Sequence, residues 1–273
     1  MTRRRLLRAL QVFDFLVALS AAAAANPLPA PEALTKQPGV QPVTLTVIEP
    51  HESRPGAPVE IAYRAFPAAS VLSAALGPDW AKKAKAIAFQ ALDGYVSRID
   101  VDRLQSGKAY MAFARADGAP FTVDNIEQNQ RNVPLGPYYL IWDNRADPNW
   151  AAKGAAGWPY QVASVTFAAS ESVLRPPGFD PALEPGLVLA EAQCLTCHSV
   201  NGYGGAKSPG DLAVAARSLP RSEFLNWVIA PRKADPAATM PPLSPNLPED
   251  QRQANARAIY DYLSRVPAAP LRP

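Results

Sequence analysis

The chain is poor in the residues that most metal and disulfide chemistry needs. Its 273 residues include two cysteines and two histidines. So few thiols exclude a disulfide scaffold. A Cys/His zinc cage would consume all four of these side chains at once. Charged residues are scarce at 19%, against a usual quarter or so. There is no basic stripe and no nucleic-acid-binding motif, which argues against a DNA or RNA partner. Long apolar runs are missing as well. The run Phe15 to Leu19, leading into alanines 21 to 25, is short for a membrane span, and Asp14 interrupts it. Proline is abundant instead, with 30 residues, about twice the usual share of roughly 5%. Hydrophobic residues at 48% suffice for a core.

The scarce residues are concentrated in one place. Cys194-Leu195-Thr196-Cys197-His198 uses both cysteines and one histidine. A C-x-x-C-H run reads as a c-type haem attachment site. Two thiols at this spacing can add to the two vinyl groups of one haem, and the adjoining histidine is placed to ligate the iron. A redox dithiol would want a βαβ context, and none is visible. The expected cofactor is one covalent haem c.

The N-terminus has the pattern of an export signal over residues 1–25. Arg3, Arg4, Arg5 and Arg8 precede the apolar run, and Ala23-Ala24-Ala25 fits a small-residue cleavage site. The expected location is the periplasm, with membrane attachment only if this segment is retained as an anchor. Removal of 1–25 takes away four arginines and Asp14, bringing the net charge from +3 to 0.

Residues 26–41, rich in proline and alanine, read as a tether. Strands are expected at Thr44–Ile48, Val59–Tyr63, Tyr138–Trp142 and Tyr160–Phe167, from alternation and from β-branched or aromatic content. A short helix or turn is expected from Trp80 to Lys85. Residues 42–172 therefore form a β-rich domain. Pro176, Pro177, Pro181 and Pro185 with Gly178 mark a linker at 173–185. Residues 186–273 read as helical. Ser222 is a candidate N-cap, and a closing helix near 248–266 carries the stripe Ala256, Ile259, Tyr260 and Leu263. The expected class is α+β: a β-rich N-terminal domain joined by the Pro-rich linker to an all-α C-terminal domain.

Residues 183–273 resemble a class I cytochrome c. A helix enters Cys194-x-x-Cys197-His198, a glycine-rich loop follows, and Thr239-Met240-Pro241-Pro242 resembles the family's distal-ligand loop, nine residues after Pro231. The resemblance implies covalent attachment through Cys194 and Cys197, with His198 and Met240 as axial iron ligands. It implies that the Pro209 carbonyl orients His198, although Pro209-Gly210-Asp211-Leu212 is one residue longer than the family's commonest form. Trp227 falls where the family has an aromatic near the haem, and plain core packing explains it equally well. Met111 and His51 are rival iron ligands, both outside this half.

In the other half, Ala88 to Tyr95, Ala112 to Gly118, Leu135-Gly136-Pro137 and Gly157 to Val162 together resemble the sulfite-oxidase-like molybdopterin-binding fold. That family holds molybdenum through a cysteine thiolate, and no cysteine exists here outside Cys194 and Cys197. The resemblance thus implies a domain without the metal, serving to dock a redox partner protein, a dehydrogenase or oxidase. The expected function is single-electron transfer by a monohaem carrier rather than enzymatic turnover. The alternative is a redox enzyme or subunit whose N-terminal domain binds a pterin or substrate.

Overall fold

Alternation of buried and exposed residues builds the first half. A computed structural model describes residues 25–168, 171–244 and 247–268. All but the last residue of the expected signal segment lies outside them. In chain order the elements are β1 (Asn26–Pro27), α1 (Pro31–Leu34), β2 (Val43–Ile48), β3 (Glu60–Pro67), α2 (Ala68–Leu76), α3 (Trp80–Lys83), β4 (Ala86–Ala91) and β5 (Val96–Asp100). Then come α4 (Val101–Gln105), β6 (Ala109–Arg115), β7 (Thr122–Asn125), β8 (Gln130–Pro134), β9 (Tyr139–Trp142), α5 (Trp150–Lys153) and β10 (Val162–Phe167).

The strands pair antiparallel in the orders β2-β3-β6-β9 and β1-β10-β4-β5, with β7-β8 as a separate hairpin. Ile61 and Tyr63 on β3 turn inward, and Val71 and Leu72 on α2 are fully buried in the same core. Burial of such side chains contributes roughly 1.5–3 kcal/mol each. Residues 26–41 do not hang free as a tether. Asn26 pairs with Val165, the Tyr138 hydroxyl donates to the Pro29 carbonyl at 2.7 Å, and Leu34 is fully buried.

The second half begins with 3₁₀ turns at Glu171–Leu174 and Pro181–Leu183. Leu174 and Leu183 are buried in the C-terminal core, so the proline-rich segment is packed against it. There follow α6 (Glu184–Gln193), β11 (Ser199–Val200), β12 (Tyr203–Gly204), α7 (Leu212–Ser218), α8 (Arg221–Ile229), α9 (Pro231–Ala234) and α10 (Glu249–Arg265). Helix α10 packs on α6, α7 and α8. The crossing with α6 is close: a Cβ on Gly186 would lie 2.1 Å from the Ala258 carbonyl oxygen. The buried stripe of α10 is Ala256, Ile259, Tyr262 and Leu263. Tyr262 is fully buried and donates to the Leu174 carbonyl at 3.4 Å, while Tyr260 packs partly buried against the same core.

The expected α+β chain ending in an all-α domain is not what the structure contains. β11 and β12 form an antiparallel hairpin with Ser199 opposite Gly204 and Val200 opposite Tyr203, and Ser199 also bridges Asp211 in parallel. The cause is local. Asn201 and Gly202 adopt φ of 53° and 75°, the left-handed pair that closes a tight two-residue hairpin. The Asp211 carboxylate accepts the Asn201 N–H at 2.6 Å. Ser222 is not a cap: α8 starts after Pro220 and has no side-chain cap.

Candidate functional site

The Cys-x-x-Cys-His segment continues the winding of α6. Cys194 N–H donates to the Ala190 carbonyl at 2.8 Å, and the N–H groups of Cys197 and His198 both donate to the Cys194 carbonyl, at 3.2 and 3.0 Å. Gly205 then passes across the motif, its N–H reaching the carbonyls of Leu195 and His198 at 3.0 and 2.9 Å. The crossing leaves no room for side chains. A Cβ on Gly205 would stand 2.0 Å from the Thr196 oxygen, and one on Gly204 would stand 2.1 Å from the His198 oxygen.

Both thiols are free. Burial, and after it the neighbouring Cys197, pushes Cys194 up to about 12. Burial also raises Cys197, against the pull of the Lys207 ammonium. The Thr196 hydroxyl lies 3.9 Å from the Cys197 sulfur. Burial lowers the His198 pKa, which favours the neutral imidazole, and among the described residues nothing hydrogen-bonds to its ring. Met240 lies partly buried against the core that holds Cys194 and Leu195. Its loop is held by Arg252, whose guanidinium donates to the carbonyls of Ile229 at 2.7 Å and Leu243 at 3.1 Å.

Two other candidates are placed differently. Pro209 is exposed, and its carbonyl accepts no hydrogen bond from His198 among the described residues. Trp227, partly buried on α8, lines a cleft of about 580 Å³ with Glu223, Asn226, Lys233 and Gln253, and none of the other candidates lines it. The rivals lie in the other core. Met111 is fully buried on β6. His51 is committed to a buried cluster in which its Nδ1 lies 2.9 Å from Glu49 Oε1. Tyr63 and Tyr139 donate their hydroxyls to the same carboxylate at 2.8 Å each.

The chemistry of this donor set fits a covalently held haem. Two thiols unpaired with each other, an imidazole with no hydrogen-bond partner among the described residues and a thioether on the same core match its needs. Among the described residues no group of three or more His, Cys, Asp or Glu could hold a metal ion, which leaves the C-x-x-C without the further ligands a zinc site requires.

Sequence reasoning missed the contact between the halves. The tip of the β4–β5 hairpin binds directly to the motif loop. Val96 N–H donates to the Thr196 carbonyl at 2.9 Å, and Ala206 N–H donates to the Gly94 carbonyl at 2.8 Å. Lys207 pairs with Asp93 at 2.9 Å and reaches Gln128 at 3.3 Å. Arg232 donates to the Glu127 carbonyl. Burial, with Cys197 close by, pushes Tyr95 up to about 12. Backbone pairings of this kind leave no side-chain signature, so no residue pattern announces them.

Among the described residues no helix is long and apolar enough to cross a membrane. No protein-family model and no curated protein sequence matches this chain.

Proposed function

We propose that this protein is a periplasmic one-electron carrier holding a single haem through thioethers at Cys194 and Cys197. The haem supplies an iron couple that takes up and releases one electron. His198 and Met240 are the residues that would hold the iron, a His/Met pair that suits electron transfer over oxygen or peroxide chemistry. Arg252 holds the Met240 loop in place. Gly204 and Gly205 let the following loop close over the motif backbone.

The observation that carries this reading is the state of the motif: two free thiols, and an imidazole with no hydrogen-bond partner among the described residues, on a tightly wound, partly buried turn. The N-terminal unit serves to dock the partner dehydrogenase or oxidase. With no cysteine outside the motif, it has no thiolate for molybdenum.

The test is acid-acetone extraction of protein produced in an exporting host competent for haem attachment. The pigment is expected to stay with the polypeptide, with one iron per chain and no molybdenum. Extraction of the pigment into acetone would overturn the covalent assignment, and stoichiometric molybdenum would overturn the carrier role.

A further inference from the structure

Arg98 reaches out of β5 to the loop that covers the haem motif. Its guanidinium carbon stands 4.0 Å from the centroid of the Tyr203 ring, and Nη2 approaches the Gly204 carbonyl at 3.5 Å. Gly204 is the residue that lies against the His198 backbone. The cation is poorly compensated. Its Nε is buried and has no hydrogen-bond partner. The two carboxylates that act on it, Glu191 and Glu171, are held elsewhere: Glu191 accepts from the Tyr203 hydroxyl at 2.9 Å, and Glu171 pairs with Arg175 at 3.8 Å. Neither forms an ion pair with Arg98.

Arg98 is a partly buried cation, and its field reaches further than it would in water. A haem iron carries one more positive charge when oxidised than when reduced. A fixed cation beside its histidine segment therefore disfavours the oxidised form and raises the reduction potential. Glu191 and Glu171 act in the opposite sense; of the three, Arg98 is the one whose side chain reaches the Gly204 carbonyl, at 3.5 Å.

We propose that Arg98 is a positioning residue of the N-terminal unit that raises the potential of the haem carried by the C-terminal unit. The inference rests on the haem reading above. It makes the N-terminal unit a regulator of the redox centre, beyond its role in holding a partner.

Redox titration followed by optical spectroscopy on the full-length, haem-loaded protein tests it. Arg98→Met, which keeps an unbranched apolar stem without the guanidinium charge, is expected to shift the oxidised-to-reduced ratio at fixed ambient potential on the order of tenfold toward the oxidised form, equivalent to about 59 mV for one electron. Arg98→Lys should retain most of the parent potential. Glu191→Gln should move the potential the other way, upward, which a merely loosened interface would not do. All variants should keep the parent's low-spin spectrum. A parent potential in Arg98→Met overturns the proposal, as does a fall in Arg98→Lys equal to that in Arg98→Met. If Arg98→Met fails to fold, an unchanged or lowered potential in Glu191→Gln overturns it. A parent protein without covalent haem would instead fail at the extraction step, which separates failure of the haem reading from failure of the Arg98 assignment.

Discussion

Gly205 crosses Thr196 so closely that a methyl group on the glycine would stand 2.0 Å from the Thr196 carbonyl oxygen and 3.1 Å from the Cys197 Cα. The obstructing atoms are backbone, so no rotamer change relieves the contact. Gly205→Ala must displace either the loop or the Cys-x-x-Cys turn. The expected cost is about 1–3 kcal/mol, the range for overpacking a tight site, read as a lower denaturant midpoint. Covalent haem yield in the same preparation should fall with it. A variant with parent stability would show that the loop does not close over the motif.

The Glu49 carboxylate is the buried centre of the N-terminal core. Burial alone would raise its pKa, but hydrogen bonds and charge from His51, with the Tyr63 hydroxyl, outweigh it and hold the carboxyl below its usual range. A lowered folded pKa means that folding favours the carboxylate. Its stabilisation is fully present above the unfolded value of about 4.3 and is lost as the pH falls through the folded pKa. Glu49→Gln should therefore flatten the acid limb of the stability profile below about pH 4.3. Glu49→Ala, which strands His51, Tyr63 and Tyr139, should cost about 3–5 kcal/mol at neutral pH. Urea titrations from neutral pH down through the acid limb measure both.

Asp211 does two jobs at the start of α7. Its side chain caps the helix by accepting from Ala213 N–H at 2.8 Å, and it accepts the Asn201 N–H at the hairpin turn. A cap alone is worth roughly 0.5–2 kcal/mol. Asp211→Ala should cost more than Asp211→Asn, because the amide retains an acceptor oxygen for one of the two partners. Thermal unfolding of the pair measures the difference.

The legibility of this chain was uneven for physical reasons. Thr44–Ile48 and Tyr138–Trp142 stood out because β-branched and aromatic side chains suit a half-buried pleated surface, and both lie within one residue of strands β2 and β9. Asn201-Gly202 carried an equally clear hairpin signal. The hairpin it closes is what an all-α C-terminal half lacks. In α10 a 3.6-residue period allows both Tyr260 and Tyr262 on the side of Ile259, and packing on Leu174 buries Tyr262 the more fully. Of the candidate site, the motif itself was plain from residue types. Arg98 and Arg252 were not, since a charged residue in a strand or helix ordinarily faces water.

Met240 is the side chain whose removal tests the proposed iron ligation most directly. It sits partly buried on the C-terminal core, in a loop tied to α8 through Leu243 N–H, which donates to the Val228 carbonyl at 2.9 Å, and through Arg252. Those ties do not involve its side chain, so Met240→Ala should fold with a stability loss of no more than about 2 kcal/mol, at the low end for a Met truncation because the site is only partly buried. A thioether ligand favours reduced iron, and its loss should lower the potential and let the reduced protein bind carbon monoxide, which the parent should not. Replacement of the neighbouring Thr239 by alanine should change neither property. If Met240→Ala keeps the parent's spectrum, potential and indifference to carbon monoxide, the distal ligand is another residue. The buried commitments of His51 to Glu49 and of Met111 to the β6 core make those two unsuitable replacements in this fold.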